Sequence, residues 1–284
     1  MLETKKPHRD SDTHGLRLKK SLGQNLLEDP NINRKIVAAA EVRKGERVLE
    51  IGPGMGHLTQ ALLDAGADVL AVEIDQRLLP ILEENFGDRP DFEVIHYDIL
   101  KLPEKRIEDF AKGDKIKVVA NLPYYNASQI LFRLAQWKKY INVAVLTLQK
   151  EFVDRLVAGP NTKDYGALTL KLKAVANIES LFSVKAHVFF PEPKVDSRTV
   201  HIDFRQSRLP ENLDAGSFNL CVTAAFSARR KTIANSLSRQ YDRNDVGPAL
   251  AMCGIDPRLR AENLELDDYF KLTKALAKGV KYEV

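Results

Sequence analysis

The sequence predicts an α/β fold: a mostly parallel sheet with an antiparallel edge strand, followed by a smaller all-helical region. Three observations carry this reading. From about residue 47 to 148, short apolar runs alternate with helix-period segments, the pattern of parallel strands joined by helices. A glycine-rich turn, Gly52-Pro53-Gly54-Met55-Gly56, links the first of these runs to a helical segment. Past about residue 206 the strand signals vanish and only helix-period stretches remain.

The chain has 284 residues, 44% hydrophobic and 29% charged, enough to bury a real core in one large or two smaller domains. No apolar run reaches the length needed to span a bilayer. The polar start lacks the apolar centre of a secretory signal, and Glu3, Asp10 and Asp12 argue against a mitochondrial presequence. With two cysteines, Cys221 and Cys253, there is neither a disulfide framework nor metal-ligand spacing, so a reducing cytoplasm is expected and no metal site. Net charge is only +4, but it is uneven. Residues 1–24 carry Lys5, Lys6, Arg9, Arg17, Lys19 and Lys20, and residues 225–243 carry Arg229, Arg230, Lys231, Arg239 and Arg243 against Asp242 alone. Either cluster by itself reads as solvated surface; together they point to phosphate contacts.

In chain order, residues 1–20 read as a basic flexible arm, and Ser21 to Leu27 as a short ordered segment. Asp29-Pro30 starts a helix from about Asn31 to Arg43. Arg47–Ile51 is the first strand, and the glycine turn leads to a helix through Leu58, Ala61, Leu62 and Ala65. Val69–Val72 ends at Glu73, which stands 21 positions after Gly52, the spacing of an acid that grips ribose hydroxyls. Phe92–His96 ends at Tyr97-Asp98, a second acid at the same edge. A helix is expected over Ala127–Trp137, a strand over Asn142–Leu148 and a helix over Lys150–Val157. Tyr165–Ala176 fits either period. Val184–Phe190 and Thr199–Phe204 read as a closing strand pair, Arg205–Gly216 as a linker, and Phe218–Leu237, Asp245–Met252 and Leu266–Ala277 as helices. The expected division is an arm over 1–20, a catalytic domain over 21–205 and a helical domain over 206–284.

The central stretch is Val118-Val119-Ala120-Asn121-Leu122-Pro123-Tyr124, a buried strand opening abruptly onto a polar loop. It suits one chemistry. The lone pair of adenine's exocyclic amine is delocalised into the ring, so the nitrogen is a poor nucleophile. Acceptors aimed at its N–H groups draw it towards tetrahedral geometry. The Asn121 side-chain oxygen is one such acceptor and the Leu122 carbonyl a second, with Pro123 biasing Leu122 towards an extended conformation. Tyr124 offers a face on which a flipped base can stack. On its own the loop reads equally well as an ordinary proline turn. Phe189, before the Pro191-Glu192-Pro193 loop, is a candidate wall beside the base, or else a core phenylalanine.

The GxGxG spacing, with Glu50 two places before the first glycine, resembles the S-adenosylmethionine loop of Rossmann-like methyltransferases more than a dinucleotide fingerprint. Further blocks narrow the resemblance: Gly23-Gln24-Asn25, Val72-Glu73-Ile74-Asp75, Asn121-Leu122-Pro123-Tyr124, Pro193-Lys194-Val195-Asp196-Ser197 and Phe226-Ser227-Ala228-Arg229-Arg230-Lys231. From about Lys19 to Leu237 the chain resembles the rRNA adenine dimethyltransferases of the small-subunit type, which dimethylate two adjacent adenines near the 3′ end of that RNA. The resemblance implies that Asn25, Leu27, Gly52, Gly54, Glu73, Asp98 and Asn121 form the S-adenosylmethionine pocket. It implies that Asn121, Leu122, Pro123 and Tyr124 face the adenine and that Arg229, Arg230 and Lys231 meet RNA. It implies a monomer acting on small-subunit rRNA within a partly assembled particle. Leu26 stands where the family often has Phe, Tyr97 where Gly is common, and Glu192 interrupts a usual Pro run; Tyr97 bears on Asp98. Two rivals are a large-subunit adenine methyltransferase conferring macrolide resistance and a non-catalytic RNA-binding factor on the same fold. An NAD dehydrogenase ranks below both.

Overall fold

A computed structural model describes residues 24–277. The elements in order are β1 (Leu26–Leu27), α1 (Pro30–Ala39), β2 (Arg47–Ile51), α2 (His57–Asp64), β3 (Asp68–Glu73), α3 (Leu79–Phe86), β4 (Phe92–His96), α4 (Glu104–Ala111), β5 (Ile116–Asn121), α5 (Ala127–Gln136) and β6 (Ile141–Gln149). They continue with α6 (Lys150–Val157), α7 (Ala167–Val175), β7 (Asn177–Val184), β8 (Phe189–Phe190), β9 (Ser197–Asp203), α8 (Ala215–Ala225), α9 (Ile233–Leu237), α10 (Arg243–Met252) and α11 (Leu266–Leu276).

Seven strands form one sheet in the order β4-β3-β2-β5-β6-β9-β7. The pairings from β4 through to β6 are parallel. The antiparallel pairings expected at one edge are made by β9, which lies between β6 and an outermost β7 and runs against both. Successive residues of the parallel strands feed opposite faces, as the pleat demands. Leu49, Ile51, Leu70, Val72, Val118 and Ala120 pack into the core that includes Leu102, Ile107 and Leu131, whereas Val48, Val69, Ala71 and Val119 pack into the core that includes Ile36, Leu62 and Leu82. Going outward from β2, the chain proceeds one way through β3 and β4 and the other way through β5 and β6. The order therefore reverses between β2 and β5, and in such sheets ligands bind beyond the strand ends at that reversal.

Several expectations shift. The closing strand is Asn177–Val184 rather than Val184–Phe190; beyond it the chain makes a short 3-10 turn and then β8, which pairs with β1, Leu27 opposite Phe189. The ambiguous Tyr165–Ala176 stretch contains helix α7. The run Phe218–Leu237 is not one helix, because a turn interrupts it between α8 and α9. The linker is pinned rather than free: the Arg208 and Leu209 N–H groups donate to the Ala174 carbonyl at 3.0 and 2.7 Å. A third core joins Phe218, Cys221, Val222, Leu237, Leu250, Tyr269 and Leu272 to Tyr165, Leu170 and Ala174 at α7, so the helical region is built onto that helix. Among the described residues no helix is long and apolar enough to cross a membrane, and no group of His, Cys, Asp or Glu is arranged to hold a metal.

Candidate active site

At the reversal between β2 and β5 lies a cavity open to solvent. Its first wall is the glycine turn. Gly52, Gly54 and Gly56 take φ of 68°, 60° and 88°, the left-handed region that side chains disfavour. A Cβ on Gly54 would lie 2.7 Å from Leu26 Cδ2, and one on Gly56 2.5 Å from the Phe86 ring. The φ angles favour glycine at both positions, and a side chain at either would have to displace Leu26 or Phe86.

Two carboxylates sit behind this turn. Glu73, 3% exposed, accepts from the Ile74 and Asp75 N–H groups on Oε1 at 2.9 and 2.8 Å, and from the Gly54 N–H on Oε2 at 3.2 Å. Burial raises its pKa and these three bonds pull it back. A carboxylate has about four acceptor sites, so the remaining capacity lies on Oε2, at the cavity. Glu50, 1% exposed, accepts from the Thr59 hydroxyl at 2.6 Å on Oε2, while its Oε1 has no protein partner. Burial pushes its carboxyl up to about 8, the Thr59 bond opposing and the Glu73 charge reinforcing.

The opposite wall is the β5 loop. Asn121 donates through Nδ2 to the Asn25 carbonyl at 2.9 Å, which leaves its Oδ1 buried and without a partner. The Leu122 N–H donates to the Thr147 carbonyl at 3.1 Å, anchoring the loop backbone. The Tyr124 hydroxyl and Ser197 Oγ share a 2.8 Å hydrogen bond. Desolvation is the main cause raising the Tyr124 pKa, so the phenol stays neutral. The segment Gln24–Leu27 lines the same cavity: the Gln24 amide donates to Asp75 at 3.0 Å, and the Leu27 carbonyl accepts from Asn33 at 3.2 Å.

Of the residues expected from sequence, Asn25, Leu27, Gly52, Gly54, Glu73, Asp98, Asn121, Leu122, Pro123 and Tyr124 all line this cavity. Asp98 accepts from the Leu100 N–H at 3.0 Å, beside an exposed Tyr97. Phe189 is different. It does not line the cavity; it is 4% exposed, paired to Leu27 and packed in the core with Val119 and Val184. The core alternative for Phe189 is therefore the one its surroundings support. Arg229, Arg230 and Lys231 lie far along the chain in the exposed turn between α8 and α9, not on a helix. Arg229 donates to the Lys163 carbonyl and lies 3.7 Å from Glu262, whereas Phe226 of the same block is a partly buried ring packed against the helical core and stacked near Tyr269.

Among the cavity residues that the sequence reading did not assign to the site are Tyr125 and Asn126. Tyr125, 57% exposed, stands at the mouth, its pKa raised by partial burial and by the charges of Asp98 and Glu73. Asn126, 7% exposed, presents a third buried oxygen, Oδ1, without a protein partner. Their only sequence signal was position, directly after Tyr124. Chemically, the cavity joins a carboxylate suited to hydroxyl donors, an acid that gains by meeting a cation, and unpartnered amide oxygens. That set fits a nucleoside carrying a positive charge, held beside an N–H donor.

Comparison with known proteins gives a consistent result. The family model described as ribosomal RNA adenine dimethylase matches residues 15–278. The ribosomal RNA small subunit methyltransferase A of Streptococcus thermophilus is 40% identical over 272 residues, covering 93% of this chain and 94% of that protein. The protein of that name from Alkaliphilus oremlandii is 41% identical over 263 residues, covering 91% and 92%. Among solved structures, a dimethyladenosine transferase from Plasmodium falciparum superposes with a TM-score of 0.73 at 25% identity, covering 89% of this chain and 98% of that one. The 23S rRNA methyltransferase ErmE gives 0.67 at 29%, covering 89% and 100%.

Proposed function

This chain belongs to the ribosomal RNA adenine dimethylase family, and we propose that it transfers methyl groups from S-adenosylmethionine to the 6-amino groups of two adjacent adenosines near the 3′ end of small-subunit rRNA. When bound, S-adenosylmethionine supplies the methyl group as an activated sulfonium. The chain's residues bind, orient and polarise. Glu73 takes a ribose hydroxyl on Oε2, Asp98 takes the cofactor's adenine amine, and Glu50 faces its positive charge. Gly52 and Gly54 let the main chain approach, and Asn25 and Leu27 close the cavity from the N-terminal side.

The observation that carries this reading is the Asn121 amide, held by Asn25 through its nitrogen with Oδ1 buried and unpartnered. An acceptor desolvated in this way costs stability unless a ligand donates to it. The target amine donates to Asn121 Oδ1 and to the Leu122 carbonyl while its ring lies on Tyr124. The transient positive charge on the attacked nitrogen is stabilised by those same dipoles. No covalent intermediate is needed: Cys221, the more buried thiol, sits in the helical core with its pKa pushed up to about 12 by burial.

The supporting facts for the small-subunit assignment are relatives of that name at about 40% identity across nearly the full chain. The large-subunit rival rests on a solved structure at 29% identity. The non-catalytic rival has no use for unpartnered acceptors in a cavity. On this reading residues 206–284 are the rRNA-contacting unit, with Arg229, Arg230 and Lys231 on phosphates, and residues 21–205 the catalytic unit. The enzyme works as a monomer in the cytoplasm on a partly assembled small subunit. The test is mass spectrometry of rRNA from unmodified small subunits incubated with enzyme and S-adenosylmethionine. Dimethyladenosine at two adjacent adenines is expected with wild type and far less with Asn121→Ala over the same time; modification confined to large-subunit RNA would contradict the assignment.

A further inference from the structure

The base-facing loop is tied directly to β6 and, through Tyr124, to β9. The Leu122 N–H donates to the Thr147 carbonyl at 3.1 Å, and Thr147 stands opposite Thr199 with the two hydroxyls 3.1 Å apart. The Tyr124 hydroxyl meets Ser197, which is completely buried and paired with Gln149 of β6. Ser197 is flanked by anchored neighbours. The Asp196 carbonyl accepts the Lys150 N–H at 3.0 Å, its carboxylate accepts the Ala186 N–H at 3.1 Å and the Lys185 ammonium at 2.9 Å, and Arg198 donates to Asp154 at 2.6 Å. Ser197 Oγ is thus a fixed point in the sheet. A phenol bonded to it cannot turn about its side-chain torsions without breaking that bond.

The consequence rests on the function proposed above. In the first transfer the adenine amine has two N–H groups for Asn121 and Leu122. After one methyl it has one, so the acceptors hold the base less firmly and stacking on Tyr124 carries a larger share. Stacking depends on the plane of the ring. We infer that Ser197 is a positioning residue that fixes the Tyr124 ring for the second methyl transfer, and so governs how completely each adenosine is dimethylated.

Ser197→Ala and Tyr124→Phe each delete one member of the bond and keep the aromatic face. Single-turnover rates at saturating S-adenosylmethionine, on small subunits with unmodified or monomethylated adenosines, separate the two rounds. The first transfer is expected to slow by no more than about threefold and the second by about tenfold, the scale of one neutral hydrogen bond. Monomethyladenosine then accumulates. The double variant is expected to match the worse single one, because both remove the same bond. Cofactor affinity by calorimetry stays near wild type. Equal slowing of both rounds, an unchanged product ratio, or additive effects would overturn the inference. If Ser197→Ala melts early, Tyr124→Phe decides, since it leaves β9 untouched. A wild type that dimethylates while Tyr124→Phe behaves identically removes this inference alone; a wild type that leaves the particle unmodified removes both it and the proposed function.

Discussion

The cavity at the sheet edge and the basic turn between α8 and α9 use opposite physics. Around the cavity, Glu50, Glu73 and Asn126 are almost wholly buried, and three oxygens, on Glu50, Asn121 and Asn126, have no protein partner. Around the turn, Arg229, Arg230 and Lys231 are exposed. A dipole stripped of water acts strongly over a short range and is little affected by salt. A charge in solvent acts weakly, over about a Debye length, and is screened. On the proposed function, chemistry belongs to the first region and RNA capture to the second, so each mutation should disturb one without the other.

The largest expected effect tests the buried side. Asn121→Ala removes the desolvated acceptor and should slow both methyl transfers by roughly a hundredfold or more, as losing a preorganised donor or acceptor does elsewhere. Single-turnover kinetics on unmodified and monomethylated particles measure it; near-normal rates would erase the distinction between the two regions. Next, Glu73→Ala removes a carboxylate fixed by three N–H groups. Calorimetry should show S-adenosylmethionine binding weakened by about tenfold to a hundredfold, the range of a hydrogen bond to a charged group.

Glu50 sharpens the comparison through pH. Its folded pKa, about 8, lies above the ordinary value of 4.5 because the side chain is buried. Between those values the folded state holds a proton that the unfolded chain has lost. Stability from this group is therefore complete below pH 4.5, declines as pH rises towards about 8, and is level beyond. Glu50→Gln should flatten that decline, gaining on the order of a few kcal/mol over wild type by pH 8 in cofactor-free unfolding experiments. Parallel pH profiles for the two proteins would contradict the burial argument.

The smallest effect belongs to the exposed side. Replacing both Arg230 and Lys231 with alanine should lower RNA affinity several-fold at low salt and reduce the salt slope by about 1–2, with no change in the chemical step at saturating RNA. A loss that persists at high salt would mean that the turn is more than a set of screened charges.

How legible each region was follows from where its information sits. The glycine turn, Glu73, Asp98 and Asn121-Leu122-Pro123-Tyr124 are short local patterns at strand ends, and sheet topology alone brings them together. What was invisible is what needs distant partners. Asn121 takes its orientation from Asn25, 96 residues away, and Tyr124 meets Ser197, 73 residues away. Phe189 carries the same local signal whether it faces a ligand or a core, and its pairing with Leu27 places it in the core. The edge strand β7 was misplaced because much of it is exposed, so it lacks the apolar run that marks β2 or β5. The basic block read as helical because Phe218 to Leu237 keeps an apolar period across a turn in which Phe226 still points inward.

The central claim is that the Asn121 oxygen waits for the amine of an everted adenine. It is tested most directly by a crystal structure of the protein with S-adenosylhomocysteine and a short RNA presenting the target adenosine. The adenine ring is expected on Tyr124, with its amine about 3 Å from Asn121 Oδ1. An adenine bound elsewhere, or an Asn121 oxygen still without a donor in that complex, would contradict it.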